Sequence, residues 1–342
     1  MSSSHFVPAE KVKKPARAVL SARSLTYRAK PTILFFGTRT SVKSAGKETS
    51  VGMELNLCNI RDVKDLMSIF HLSFRKDLGQ NFLIDSLIVS DIADLCSPDP
   101  DCTVLEIGPG VGTLTRELAS RYRKVVAVEI DQSLIPVLNY TLNDFSNVTV
   151  IRDDVMKLDL AEVLGEELKR GPVSVCANLP YYITTPILTK LLRSGFPFGQ
   201  ITVMIQNEVA QRLCAPVGSK NSGAITVFMA YYGECTQAFT VPPDRFVPSP
   251  NVTSSVMQIR LHKERPVHPR NEELFFKTVR IVFEQRRKNI LNALTLGFPD
   301  MSKETATKII GSFGWPAELR GERLSLKEFS DLSDCISSYG LC

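Results

Sequence analysis

From residue 103 onward, short β-branched and aliphatic runs alternate with stretches whose apolar positions recur every three to four residues. The runs at 103–107, 124–130, 148–152, 173–178, 201–205, 224–232 and 254–261 predict strands. Amphipathic stretches such as 114–122 and 185–192 predict helices between the first five. Strands separated by helices of this length predict βαβ units and a mostly parallel sheet, an α/β fold. No helical pattern separates the last two runs, so they are expected to close the sheet as an antiparallel pair. The run at 224–232 is the longest apolar stretch; it is rich in β-formers and far short of the ~18–20 residues that span a bilayer. After residue 261 the β pattern ends, and 272–284, 285–294, 303–313 and 325–337 predict helices. The segment 262–270 holds two prolines and few apolar residues, which places a domain boundary between 53–262 and a helical 263–342. No internal repeat is present.

Charge divides the chain differently. The 342 residues carry a net +5, but residues 1–52 hold ten Lys/Arg against Glu10 and Glu48, a local +8. The remainder, with 31 basic and 34 acidic residues, carries −3, so bulk charge does not argue for a polyanionic partner. The basic extension reads as a transit peptide, which would direct the protein to an organelle, or as an upstream extension before a start at Met53. The second reading is preferred, because folded-looking sequence begins just after Met53; it makes 1–52 disordered or not native and the protein cytoplasmic, of bacterial type. Apolar residues at 44% and charged residues at 23% are those of a globular protein. The eight cysteines form no C-x-x-C pair and have no nearby His at metal spacing, so reduced thiols and no metal are expected.

Candidate chemistry begins at Leu105-Glu106-Ile107-Gly108-Pro109-Gly110-Val111-Gly112, where a strand ends and a helix begins. Glycines there let the backbone turn tightly and approach a ligand. The next strand ends near Glu129, nineteen positions after Gly110, where an acid is expected to bind ribose hydroxyls. The G-x-G-x-G spacing differs from the G-x-G-x-x-G of dinucleotide binders. Glu106 would repel a pyrophosphate, whereas a sulfonium and an α-amino group are cations that suit a nearby carboxylate. The loop therefore reads as a pocket for S-adenosylmethionine (SAM); the alternative is a strand–helix turn that binds nothing. Asp154, after the third strand, is placed to accept from an adenine amine or to cap a helix.

Asn178-Leu179-Pro180-Tyr181 follows the fourth strand, at the carboxyl edge where open α/β sheets bind ligands. An exocyclic adenine amine is a poor nucleophile, because its lone pair is delocalised into the ring. The Asn178 side-chain oxygen and the Pro180-region carbonyl could accept its hydrogens, and Tyr181 could stack on the base, a contact worth ~1–3 kcal/mol. Asn-x-Pro also serves as a plain strand-terminating turn.

Five ordered segments carry a resemblance: 78–83 (Leu-Gly-Gln-Asn-Phe-Leu), 105–115, 178–184, 204–210 and 246–255. Together the chain from about Phe74 to its end resembles the KsgA/RsmA-type ribosomal RNA adenine dimethyltransferases. The resemblance implies a class I SAM-dependent methyltransferase: a Rossmann-like seven-stranded sheet, last strand antiparallel, with a small all-α C-terminal domain. It implies N6,N6-dimethylation of two adjacent adenines in the 3′-terminal hairpin loop of small-subunit rRNA during ribosome biogenesis. It places SAM contacts on Asn81, Leu83, Gly108, Glu129, Asp154 and Asn178. Catalytic positions fall on Asn178, Pro180, Tyr181 and Phe246, the last as a second aromatic facing the target base. Asp77 departs from the family, many members of which carry His or another residue there.

A base held out of its stack between aromatic faces, with the amine aligned on the methyl donor, needs no covalent intermediate and no metal. For RNA contact, 260–289 carries nine basic against four acidic residues. Arg280, Arg286, Arg287 and Lys288 form its densest part, and phosphate contact is expected there rather than a merely solvated helix face. The expected partner is small-subunit rRNA within a pre-ribosomal particle, with the enzyme a monomer and no membrane involved. Two rivals are an Erm-type large-subunit rRNA methyltransferase and a methyltransferase-fold nucleic-acid-binding factor. Leu179 and the Ile183-Thr184-Thr185-Pro186 continuation weigh against the first, and an intact Asn178–Tyr181 segment with Glu129 against the second.

Overall fold

The computed structural model describes residues 32–34, 55–75 and 78–341, and these fall in one compact unit. Asp77 and, apart from 32–34, the basic extension with its start at Met53 lie outside the described residues. The chain runs β1 (Thr32–Leu34), α1 (Ile60–Ile69), β2 (Phe82–Leu83), α2 (Ser86–Asp94), β3 (Thr103–Ile107), α3 (Thr113–Arg121), β4 (Lys124–Glu129) and α4 (Ile135–Thr141). It continues β5 (Val148–Arg152), α5 (Leu160–Leu168), β6 (Val173–Asn178), α6 (Thr184–Arg193), β7 (Ile201–Gln206), α7 (Asn207–Leu213), α8 (Ala224–Tyr232) and β8 (Gly233–Val241). The two-residue β9 (Phe246–Val247) and β10 (Ser254–Leu261) precede α9 (Glu272–Glu284), α10 (Ile290–Gly297), α11 (Lys303–Ser312) and α12 (Leu326–Ser338).

The main sheet has the order β1-β5-β4-β3-β6-β7-β10-β8. Strands β5, β4, β3, β6 and β7 are mutually parallel, and β10 runs antiparallel between β7 and β8. Setting aside the short antiparallel β1 at the β5 edge, this is the expected seven-stranded sheet with its last strand antiparallel. All five residues of β3 are buried, as befits a strand covered by helices on both faces. From β3 the chain proceeds outward through β4 and β5, then returns to β6 on the other side. The strand order therefore reverses between β3 and β6, and a crevice opens at their carboxyl ends.

Strand edges match the apolar runs closely, with one correction. Ala224–Tyr232, read as a strand, is the helix α8, and the strand that pairs with β10 is the more polar Gly233–Val241. Periodicity does not separate a short buried helix from a buried strand, because both are apolar on every side. Burial on all faces is what α8 has: Phe228, Tyr231 and Tyr232 pack with Phe275 and Phe276 of α9. The α8 start is held by Thr226, whose hydroxyl accepts from Gly223 N at 2.9 Å and donates to the Arg212 carbonyl at 2.6 Å.

The helices after β10 carry polar caps that set their starts: Asn271 for α9, Asn289 for α10, Ser302 for α11 and Ser325 for α12. Asn289 also explains a second correction. Residues 285–289, read as the beginning of a helix, form the turn between α9 and α10, because the Asn289 side chain caps Asn292 N at 3.0 Å. Phe275, Phe298 and Phe329 are fully buried in this region, in a core continuous with that under β6, β7 and β10.

Candidate active site

The crevice at the carboxyl ends of β3 and β6 is a cleft of about 880 Å³, including space open to solvent. Its walls come from residues 78–83, Glu106, Gly108–Val111, Glu129, Ile130 and residues 178–182. The first of these segments reaches the site through β2, which pairs antiparallel with β9, Phe82 opposite Val247 and Leu83 opposite Phe246. Sequence positions more than 160 residues apart are thereby joined at the cleft rim.

The glycine loop explains its own composition. Gly108, Gly110 and Gly112 have φ of +71°, +61° and +92°, the left-handed region that a side chain disfavours. A Cβ on Gly110 would lie 2.9 Å from the Phe82 ring, whereas one on Gly108 would meet nothing within 4 Å. Gly110 is therefore needed for packing, and Gly108 leaves open space beside the acids.

Those acids are buried. Glu129 Oε1 accepts from Asp131 N at 2.8 Å and Oε2 from Gly110 N at 3.3 Å. Burial nonetheless pushes its carboxyl up to about 7. Glu106, on β3, is fully buried; burial with the nearby Glu129 charge pushes it to about 8. Glu106 Oε2 has no hydrogen-bond partner among the described residues. Two buried carboxyl groups lining one concavity suit a group that is cationic and rich in hydroxyl donors, as a sulfonium nucleoside is.

Asn178 ends β6 and lines the cleft. Its Nδ2 donates to the Asn81 carbonyl at 3.0 Å, which leaves Oδ1 as the group available to a ligand. Asn81 in turn donates from Nδ2 to the Gly79 carbonyl at 3.0 Å. Leu83 is buried in the cleft wall. Tyr181 is half-buried, and its hydroxyl lies 2.6 Å from Ser254 Oγ of β10; burial raises its pKa. The Pro180 carbonyl accepts from Ile183 N at 3.2 Å and Thr184 Oγ1 at 3.1 Å, so it is engaged within its own turn.

Two predicted residues stand apart from the cleft lining. Phe246 is only 3% exposed, in β9, opposite Leu83 and within the core. Asp154 lies two residues past β5; its Oδ1 accepts from Met156 N at 2.9 Å, within its own turn. Of the basic residues, Arg287 and Lys288 are exposed in the α9–α10 turn, and Arg280 makes a loose pair with Glu284 at 3.9 Å. Arg286 is engaged in the fold, paired with Glu322 and donating to the Lys220 carbonyl.

Gln80, within the 78–83 segment, and Asp131 carry no role assigned from sequence. Gln80 Nε2 donates to Asp131 Oδ2 at 2.9 Å, and Asp131 Oδ1 accepts from Ser133 N and Oγ at 3.0 and 2.6 Å. This pair ties the 78–83 segment to the end of β4. The signal available was Asp131 itself, an acid just past a strand and two residues before a serine, the pattern of an Asx turn.

Among the described residues no three His, Cys, Asp or Glu side chains are grouped to hold a metal ion. None of their helices is long and apolar enough to cross a membrane.

Comparison with known proteins gives this geometry a family. A "Ribosomal RNA adenine dimethylase" family model matches residues 71–312. A curated "Ribosomal RNA small subunit methyltransferase A" of Oceanobacillus iheyensis is 42% identical over 278 residues, 81% of this chain and 95% of that protein. The protein of the same name from Bacillus mycoides is 45% identical over 282 residues, 81% of this chain and 96% of its own length. Among solved structures, the 23S rRNA methyltransferase ErmE superposes with a TM-score of 0.58 at 26% identity, covering 75% of this chain and all of that one. A dimethyladenosine transferase from Plasmodium falciparum superposes with a TM-score of 0.62 at 23% identity over 76% of this chain and 98% of its own, a likeness of fold. A class I methyltransferase sheet, a glycine loop facing buried acids, and a match that runs through the sheet into the C-terminal helices agree: the chain belongs to the ribosomal RNA adenine dimethylase family.

Proposed function

We propose that the protein transfers methyl groups from SAM to N6 of two adjacent adenines in the 3′-terminal hairpin loop of small-subunit rRNA. The observation that carries this reading is Asn178: its amide nitrogen is committed to Asn81, so the cleft receives an acceptor oxygen. SAM, when bound, supplies an electrophilic methyl on a sulfonium. The groups suited to hold it are Gly108 with its open Cβ direction, Glu129, Asn81, Leu83 and Asn178. Each Glu129 oxygen keeps a lone pair for a ribose hydroxyl beyond its bond to a backbone amide.

The chain's own residues then prepare the amine. Asn178 Oδ1 accepts one N6 hydrogen. The second acceptor is the Leu179 carbonyl, because that of Pro180 is occupied by Ile183 and Thr184. Two acceptors favour a pyramidal nitrogen and stabilise the positive charge that develops on it. Tyr181, held at its hydroxyl by Ser254, offers its face to the flipped base. Arg287 and Lys288 meet RNA phosphates, a contact that weakens with salt.

The test is methyl transfer from labelled SAM to small-subunit particles lacking the modification, wild type against Asn178→Ala. Transfer by wild type and its loss in the variant are expected. Transfer to large-subunit RNA instead, the reaction named for ErmE, overturns the substrate assignment.

A further inference from the structure

Tyr181 and Tyr182 are consecutive, line the same cleft and have opposite fates. Tyr181 is half-buried and anchored through its hydroxyl to Ser254 at 2.6 Å. Tyr182 is 60% exposed, and its hydroxyl has no hydrogen-bond partner among the described residues. Its ring is nonetheless held. A Cβ built on Gly79 would lie 3.4 Å from Tyr182 Cδ1 and 3.5 Å from both Cε1 and Pro180 Cβ, so ring and proline pack against the bare face of that glycine. Gly79 has φ +63° and sits one residue from Gln80, which Asp131 fixes. The turn that carries Tyr182 is closed by Thr184 Oγ1 donating to the Pro180 carbonyl at 3.1 Å. The result is an aromatic ring at the cleft mouth, seated on Gly79 and Pro180 and presented to solvent.

A large aromatic ring in this position gains little from the fold and is free to stack on a flat ligand. An enzyme that works on a flipped base leaves the neighbouring bases without their stacking partner. We propose that Tyr182 is the platform on which an unpaired base flanking the reacting adenine stacks. It is a positioning residue for RNA, separate from the chemistry at Asn178 and from the SAM-facing acids. This rests on the RNA substrate proposed above. The contact needs a π face and no hydroxyl, so it is tolerant of base identity and of aromatic replacement.

The experiment compares Tyr182→Ala, Tyr182→Leu, Tyr182→Phe and Tyr182→Trp in the full chain, on unmodified small-subunit particles. Binding of the particle, KM, kcat and SAM affinity are measured for each. Stacking on a base predicts that Ala and Leu raise the particle KM and Kd by roughly five- to a hundred-fold. Phe and Trp stay within about twofold of wild type, and kcat and SAM affinity are unchanged in all four. An Ala variant with wild-type KM overturns the proposal, as does Leu matching Phe, which would make the contact generically apolar. Loss of SAM affinity along with RNA affinity also overturns it, since Tyr182 would then be a wall of the cofactor pocket. The wild-type arm keeps the two readings apart. No transfer to the small-subunit particle overturns the proposed function and this platform's partner together, whereas transfer by wild type with an indifferent Tyr182→Ala overturns the platform alone.

Discussion

The cleft at β3, β4 and β6 and the turn between α9 and α10 both gather charged residues, and they use them in opposite ways. In the cleft, Glu106 and Glu129 are buried, and Glu129 and Asp131 are pinned by backbone amides and neighbouring side chains. In the turn, Arg287 and Lys288 stand in water, and only Arg286 is drawn into the fold by Glu322 and Lys220. Burial makes a charge expensive and therefore specific, because it must be matched by a ligand or neutralised by a proton. Exposure makes a charge inexpensive and general, able to meet any phosphate and easily screened.

The sharpest way to break the comparison is at the cleft. Asn178→Ala removes the acceptor aimed at the amine, and kcat is expected to fall roughly 10²–10³-fold, by analogy with losing one preorganised hydrogen-bonding group. Folding, read by circular dichroism, stays intact; a kcat within tenfold of wild type would remove Asn178 from the chemistry.

Next in size is the contrast between two glycines of one loop. Gly110→Ala places a Cβ 2.9 Å from Phe82 at φ +61°, and is expected to destabilise the protein by about 2–3 kcal/mol in urea unfolding. Gly108→Ala adds a Cβ in open space, so only the backbone strain of about 1–2 kcal/mol is felt, while SAM affinity falls because that space faces the acids. Equal stability losses in the two variants would contradict the packing assigned to Gly110.

The buried acids give a pH dependence with a definite sign. Glu106 and Glu129 titrate near 8 and 7 in the folded protein, above the unfolded value of 4.5. The native state holds protons that the unfolded chain has already released, so the contribution of these two groups to SAM-free stability is full below about pH 4.5 and is lost as pH rises through 7 to 8. Each group contributes a slope approaching about 1.4 kcal/mol per pH unit inside its window. Glu106→Gln is expected to flatten the upper part of this decline, measured as urea midpoints between pH 5.5 and 8.5 (roughly the relevant span). A variant with the wild-type profile would mean that Glu106 is solvated.

The smallest effects belong to the exposed turn. Arg287→Ala and Lys288→Ala are each expected to reduce the salt slope of particle binding by about 0.7–0.9 with little change in stability. Arg286→Ala should leave that slope alone and lower the melting temperature, because it strands Glu322, whose side chain is only 11% exposed. Glu322→Gln should imitate it. A slope change on Arg286→Ala would return that residue to the phosphate-binding set.

How far these regions were readable differs for the same physical reason. The strands 103–107, 148–152, 173–178 and 254–261 stand where the apolar runs put them: the first three are parallel strands, which must be apolar along their buried length, and the antiparallel 254–261 is buried through its first four residues. Glu129 was legible because it ends a strand at a spacing set by the βαβ unit. The same logic failed at 224–232, where a helix buried on all sides writes a strand-like run. It failed at 285–289, where the Asn289 cap outweighed continuing helical periodicity.

Local chemistry, written in consecutive residues, determined the alternating α/β pattern, the glycine loop with its acid, and the Asn178–Tyr181 segment. Contacts between distant residues were decided only by the tertiary structure. Asn81 orients the Asn178 amide across 97 positions, Gln80 meets Asp131 across 51, and Ser254 holds Tyr181 across 73. It is also the folded chain that buries Phe246 and engages Arg286, leaving Tyr182, Arg287 and Lys288 in solvent. Periodicity reports which face of an element is apolar; which groups meet at a site depends on how the sheet brings strand ends and loops together, and no local pattern encodes that.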